Sequence, residues 1–285
     1  MASESRTGDI PVISVTGENI PEAWEGAVLA VCRRGAEVRT EYDKEEDPAS
    51  LDATGMVRVE QPLGEPRIHK NFPGGPRDLE VYRQEVLDGL HDHWINPAEG
   101  KWTYTYHQRL FAYGSGPPDD GARGEVDQME WMVEKLCQTP YSRRAQAVTW
   151  MPQYDPTTDD PPCLQRVWAR LLPAGDGYVL NMNTHWRSRD LYKAWFMNAF
   201  ALTDLQRWMA ERLEDRLAEP VECGRYVDVS DSLHIYGSYR DEDLGEEVEK
   251  MESSSYRERA WDSSVLEPMF EEVRANLRED PDYYS

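Results

Sequence analysis

Positive charge is scarce in this 285-residue chain: 31 Lys and Arg stand against 54 Asp and Glu, a formal net charge of −23. A surface of that sign repels polyanions and anionic bilayers, which argues against general nucleic-acid binding and against membrane-surface binding. Lysine is scarcer still. Only six basic residues are lysine, so guanidinium groups carry nearly all the positive charge, and these suit bidentate recognition of a phosphate. Cysteine is limited to Cys32, Cys137, Cys163 and Cys223, far apart and without a CxxC pair. That spacing suggests neither a disulfide framework nor a zinc knuckle, and free thiols are the expectation. Long apolar runs are missing: no segment approaches the roughly 18 apolar residues of a membrane span. The opening MASESRTGDI also lacks the basic start and apolar stretch of a secretory leader. A cytoplasmic protein is expected. Linkers are missing too. The longest breaker-rich stretch, 114–124 (GSGPPDDGARG), is loop-sized, so residues 1–285 are expected to form one domain.

What is present is a core. Hydrophobic residues make up 39% of the chain and aromatics 11%, with ten Trp and fifteen Tyr, far from a disordered composition. Residues 20–37 space Ala23, Ala27, Val28, Val31 and Cys32 on one helical face, ending near Gly35. The pattern of residues 79–94 predicts a second helix with Val81, Tyr82, Glu85, Val86 and Leu90 close together. Glu85 is the odd member, a carboxylate at the edge of the stripe or buried with a partner. The pair His91-Asp92-His93 could be metal-like, but no third ligand lies near in sequence, and a polar helix end is the simpler reading. Residues 126–137 predict a third helix; Ala145, Ala147 and Thr149 then alternate as in a strand. Residues 163–172 and 178–187, joined by PAGDG, read as an antiparallel hairpin. Residues 189–217 carry the longest helical pattern, residues 226–236 alternate again, and the acidic 240–285 segment is mainly helical.

Several short segments matter more in combination than alone. Asp127-Gln128, Ser142-Arg143-Arg144, Trp150-Met151-Pro152, Pro162-Cys163, Arg187-Ser188-Arg189-Asp190, Asn198 and His234-Ile235-Tyr236 follow one another between roughly residues 100 and 240. In order and spacing this set resembles thymidylate synthase and its pyrimidine hydroxymethylase relatives. The resemblance implies an α/β (α+β) thymidylate synthase-like fold: a large twisted mixed sheet flanked by helices and packed back to back with its twin in a homodimer.

The resemblance also implies roles, each weighed against a plainer reading. A lone cysteine is ordinarily an inert buried hydrophobe; here Cys163 is implied as the nucleophile that adds to C6 of a pyrimidine and makes C5 nucleophilic, its thiol pKa lowered by nearby guanidinium. Arg143 and Arg144 alone would be a solvated basic pair; the family role sends them across the dimer interface to the partner's substrate phosphate. Arg187 and Ser188 would contact the same phosphate from their own subunit. Asn198, on an apolar helix, is either a satisfied core amide or the reader of the base at N3 and position 4. His234 and Tyr236 share one face of a strand and are implied as sugar-hydroxyl ligands. Within KWTYTYHQRLFAY, Tyr106 would manage the C5 proton through ordered water. Glu85 would organise water and polarise the base. Asp190 and the Trp94 region are candidates for the folate side. The implied one-carbon donor is 5,10-methylenetetrahydrofolate, the implied partner a pyrimidine nucleoside monophosphate, and no metal is called for.

The chain also departs from that family pattern. Leu164 replaces the usual His after the nucleophile, and Trp186 replaces the usual Gln before Arg187. The N-terminal phosphate loop is absent, leaving Arg39 and Arg67 as candidates for a fourth phosphate arginine. A hydrophobic tail that closes over the folate is also missing, the chain ending in REDPDYYS. An open mouth would let water reach the exocyclic methylene on the base. Leu164 and the tail thus favour hydroxymethylation of a cytosine nucleotide, CMP or dCMP, as in the phage deoxycytidylate and antibiotic-pathway cytidylate hydroxymethylases, whereas Asn198 favours uracil and the methylation of dUMP by a thymidylate synthase. A catalytically silent nucleotide-binding protein is the alternative of another class.

Overall fold

The computed structural model describes residues 8–114, 125–241 and 244–284, so nearly all of the breaker-rich 114–124 stretch lies outside the described residues. The chain opens on a strand, β1 (Val12–Gly17), followed by helix α1 (Ile20–Arg34). Asn19 caps α1 by accepting from the Glu22 N–H at 3.2 Å, and Gly35 ends it. Short β2 (Ala36–Val38) and long β3 (Ser50–Val59) follow, then β4 (Ile68–His69) and α2 (Pro76–Asp88). Helix α2 stops six residues before the expected Trp94. Gly89 adopts a left-handed conformation there, with φ +66°, and a Cβ at that place would meet His107 Nδ1 at 2.4 Å.

The remaining elements are α3 (Tyr106–Phe111), α4 (Gln128–Gln138), β5 (Gln146–Val148), β6 (Leu164–Ala174), β7 (Gly177–Trp186) and the short β8 (Arg189–Asp190). They are followed by α5 (Trp195–Leu217), β9 (Val221–Ile235), α6 (Gly237–Asp241), α7 (Leu244–Ser253), β10 (Ala260–Trp261) and α8 (Glu267–Glu279). The β6–β7 hairpin forms as expected, turning at Gly175, which has φ +56°. Helix α5 begins later than its apolar pattern, because the Asp190 carboxylate accepts from the Tyr192 and Lys193 N–H groups and holds a turn before it.

The main sheet runs β1-β3-β9-β7-β6-β5, with β2 on β3 and β8 on β9. It is mixed: β1–β3, β7–β9 and β8–β9 are parallel, the other neighbours antiparallel. One face is covered by α1 and α5, burying Ile13, Val57, Val167, Ala169, Leu180 and Met182 against helix residues such as Trp24, Phe196 and Leu205. The other face, with Met56 at 47% and Leu172 at 38% exposure, is uncovered in the single chain. Helices α2 and α8 form an outer layer on α5. The ends of β6 and β7, the turn before α5, and α2 thus meet at one edge of the molecule. No helix among the described residues is long and apolar enough to cross a membrane.

Candidate active site

Cys163 precedes β6 directly and is half-buried. The Arg187 N–H donates to its carbonyl at 2.9 Å, and the Arg187 guanidinium donates to the carbonyls of Pro161 (2.5 Å) and Pro162 (3.1 Å). The proline loop before the thiol is therefore held by the residue that follows β7. Burial pushes the Cys163 thiol up, against the pull of Arg187, Arg189 and the Ser188 hydroxyl. The expected lowering by guanidinium charge is present as a contribution but is outweighed by desolvation.

Tyr106 stands at the start of α3, whose first turn is capped by Thr105. Its hydroxyl accepts from the Leu164 N–H at 3.2 Å, one residue from Cys163. Burial, then the neighbouring Cys163, push that hydroxyl up to about 12. Leu164 itself is fully buried.

Tyr82, Glu85, Trp102, Tyr104, Tyr106 and Asp160 line one cleft of about 750 Å³, within the range of small-molecule sites. Glu85 is not on the buried stripe of α2, which is Leu79, Glu80, Arg83 and Val86; it sits at the stripe's edge and faces the cleft. Burial, then the charge of Asp92, push its carboxyl up to about 7. His91 Nδ1 lies 3.3 Å from Glu85 Oε2. His91 stacks on Trp94 with ring centres 3.6 Å apart, and Trp94 meets Trp102 edge to face at 4.9 Å. The two histidines of the alternating pair thus have separate partners, His91 with Glu85 and His93 with Asp282.

The C-terminal residues reach the same place. Asp282 accepts from Trp94 Nε1 at 2.7 Å, Arg77 lies 4.9 Å over the Tyr284 ring, and Tyr283 and Tyr284 line a second hollow with Tyr82, Glu85 and Met197. A short acidic and aromatic segment thus lies beside the cleft, on the hollow that shares Tyr82 and Glu85 with it.

Asn198, on the first turn of α5, is 8% exposed and accepts through Oδ1 from Arg189. The Tyr82 hydroxyl faces its amide. Arg189 is buried, pairs with the fully buried Asp228 at 2.9 Å, and lies 3.6 Å over the Trp186 ring. His234 and Tyr236 meet edge to face at 4.7 Å on β9 and just beyond it. His234 is buried, its Nδ1 3.2 Å from the Ser232 hydroxyl and its Nε2 without a partner among the described residues. Burial depresses its pKa, so at neutral pH it is an uncharged imidazole. Asp190 lies beside this pair; besides capping the turn before α5 it accepts from the Tyr239 hydroxyl at 3.1 Å.

The two candidate phosphate arginines separate. Arg67 is buried in an ion pair with Asp204 (3.1 Å), remote from the cleft's lining, and its candidacy is withdrawn. Arg39 opens the loop that carries Tyr42, whose ring meets Tyr236 at 6.3 Å and whose hydroxyl feels the charge of Arg187. Arg143 and Arg144 are exposed and form no ion pair among the described residues. The Ala169 N–H donates to the Ala145 carbonyl at 3.1 Å, which puts the pair some five residues along β6 from Leu164. At about 3.4 Å per residue this is roughly 17 Å from the cysteine end of the strand.

Motif reading passed over Arg189, Asp228, Tyr82 and the 282–284 segment. Arg189 was in view as the unassigned third member of Arg187-Ser188-Arg189-Asp190, whereas its partner Asp228 becomes visible only through the sheet.

A mixed sheet with a thiol at one strand end, a carboxyl on the facing helix and an amide on the central helix defines a thymidylate synthase-like α/β protein. The chain belongs to the thymidylate synthase family: the family model described as "Thymidylate synthase" matches residues 81–267. A protein of Methanosarcina mazei named "Putative thymidylate synthase" is 30% identical over 236 residues, covering 83% of this chain and 94% of its own. One of the same name from Methanocaldococcus jannaschii is 27% identical, covering 79% and 91%. The structure of thermostable thymidylate synthase A from Bacillus subtilis shares the fold with a TM-score of 0.57 at 18% identity, covering 81% of this chain and 84% of that one.

Proposed function

We propose that this protein transfers a one-carbon unit to C5 of a pyrimidine nucleoside 5'-monophosphate, with Cys163 as nucleophile. The observation that carries the reading is the link made by Tyr106, which neighbours Cys163 and its partner Ser188 on one side and lines the same cleft as Glu85 on the other. The Cys163 sulfur forms a bond to C6, and the electron pair moves to C5, which then takes the one-carbon unit. Methylenetetrahydrofolate supplies that unit, held on the side of the cleft walled by Trp94 and Trp102. Tyr106, through water, removes the C5 proton; a hydroxyl that stays protonated up to about pH 12 does this by relay rather than as a free base. Glu85, half-ionised near neutrality, holds water and shares a proton with the base. Arg187, Ser188 and Arg39 bind the phosphate from within the chain. Arg143 and Arg144 reach the phosphate of a second copy packed on the uncovered sheet face, which agrees with their distance from their own Cys163. His234 and Tyr236 hold the sugar.

The favoured acceptor is a cytosine nucleotide and the favoured product its 5-hydroxymethyl derivative: loss of the C5 proton expels tetrahydrofolate and leaves an exocyclic methylene, water adds to it, Cys163 leaves C6, and the folate is neither oxidised nor reduced. Leu164 in place of a polar neighbour to position 4 supports it. The second reading, methylation of dUMP with oxidation of the folate to dihydrofolate, is supported by Asn198, the amide that the family resemblance assigns to uracil, and by the aromatic Tyr283–Tyr284 pair in the hollow beside the cleft. The deciding experiment incubates the protein with methylenetetrahydrofolate and each of CMP, dCMP, UMP and dUMP, following product mass and dihydrofolate absorbance together. A hydroxymethyl product without dihydrofolate supports the first reading and a methyl product with dihydrofolate the second. No product with any of the four sinks both.

A further inference from the structure

Arg189 is a buried cation that the one-carbon chemistry does not use. Its guanidinium is 1% exposed; it donates to Asn198 Oδ1 from one terminal nitrogen, and to Asp228 (2.9 Å) and the Trp195 carbonyl (3.5 Å) from the other. Asp228 cannot swing away to release it. Its other oxygen accepts from the Ser230 hydroxyl at 2.8 Å, the Tyr226 hydroxyl approaches at 3.3 Å, and the Trp186 ring lies under the guanidinium. Cys163 and Tyr106 both feel this charge, which places it beside the reacting end of the cleft.

We propose that Arg189 is a positioning residue that sets the base preference of the site by fixing the carboxamide of Asn198, making it a reader of cytosine. The inference rests on the proposed reading of the cleft as a pyrimidine-nucleotide site. A guanidinium has five N–H donors and no acceptor, so the amide beside it must turn its oxygen toward it; the flipped amide would set donor against donor. Asn198 therefore turns its two N–H hydrogens to the side away from Arg189, where the Tyr82 hydroxyl takes one and the other is left for a ligand.

Uracil and cytosine differ at the edge such an amide reads. Uracil carries a hydrogen on N3 and an acceptor at position 4, and an amide matches it by using both its oxygen and its nitrogen. Cytosine has a lone pair on N3. An amide whose oxygen already accepts from a buried cation is a weaker acceptor for the uracil N3–H and a stronger donor to the cytosine N3 lone pair, because hydrogen bonds in a chain polarise one another. The charge of Arg189 acts in the same sense, since a fixed cation behind the amide disfavours a second approaching hydrogen. This removes the apparent conflict between Asn198 and a cytosine substrate: the same residue reads the opposite base when its oxygen is taken.

The test is nucleotide binding by calorimetry without folate, using CMP against UMP and dCMP against dUMP. The wild-type protein is expected to bind each cytosine nucleotide about tenfold or more tightly than its uracil partner, the scale of one mismatched buried hydrogen bond. Arg189→Met with Asp228→Asn removes both charges together, and it is expected to lower that ratio about tenfold. Arg189→Lys keeps Asp228 paired but has no fork to hold Asn198 as well, so its ratio should fall in the same direction by a smaller factor; it decides the matter if the double variant does not fold. A wild-type preference for uracil nucleotides, or a ratio unmoved in a folded variant, overturns the proposal. A purely structural arginine would change melting temperature and leave the ratio alone. Because folate is absent, a methyl product in turnover would sink the hydroxymethyl reading without touching this one.

Discussion

Helix α2 separates two groups of buried charge that look alike in sequence and differ in what meets them. On one side Asp204, fully buried, takes Arg67 at 3.1 Å, Arg83 at 3.4 Å and Arg207 at 2.7 Å, while Glu80 takes Arg83 and Arg274. On the other side Glu85 has, among the described residues, only His91 at 3.3 Å and the open cleft. Burial acts on both sides. Arg67 and its neighbours hold Asp204 below its ordinary 3.8 despite desolvation, whereas Glu85, with no cation, is left at about 7. The difference lies in the number of cations: three hold Asp204 down, Arg83 and Arg274 do not fully offset the burial of Glu80, which stays raised, and Glu85 meets burial with no guanidinium beside it.

The most drastic way to sharpen the contrast is at the cleft itself. Cys163→Ser is expected to lower turnover by at least about 10³-fold, as loss of a nucleophile does, with the melting midpoint unchanged; product formation at the wild-type rate would remove the covalent mechanism. On the other side, Asp204→Asn takes the carboxylate from buried Arg67, while Arg83 keeps Glu80 and Arg207 reaches solvent. It should cost about 3–5 kcal/mol in denaturant unfolding while leaving nucleotide affinity as it was. A loss near zero would mean that the cluster is not the support described.

Glu85→Gln is the most discriminating change, because its two effects have opposite signs. Turnover should fall by about 10²-fold. Stability should rise at high pH: the folded value of about 7 exceeds the ordinary 4.5, so the folded chain holds an extra proton between them, and this group's contribution worsens as pH climbs through that window. The variant is therefore expected to gain on the order of 2–3 kcal/mol at pH 8 and nothing near pH 4.5. Equal stability of the two proteins at pH 8 would place Glu85 with Asp204.

Much of this was legible beforehand. The hairpin of β6 and β7 announced itself by two alternating runs and a glycine turn, and Cys163, Arg187 and Asn198 by motif order. Strands β1 and β3 went unassigned although Ile13 and Val15, and Leu51, Ala53, Val57 and Val59, alternate, because no motif drew attention there. The pKa direction of Cys163 was not legible, since desolvation is a property of the packed loop and its neighbours. Neither was the role of Arg189: its partner Asp228 lies 39 positions away and comes beside it only through the parallel pairing with β9.

All four cysteines share one property with consequences for the protein's chemical durability. Burial pushes Cys32 up to about 11, Cys223 up to about 12, and Cys137 and Cys163 above their ordinary values. Peroxide oxidation starts from the thiolate, so burial lowers the share of each thiol that is open to attack at neutral pH. Cys163, the proposed nucleophile, shares that protection through its own burial.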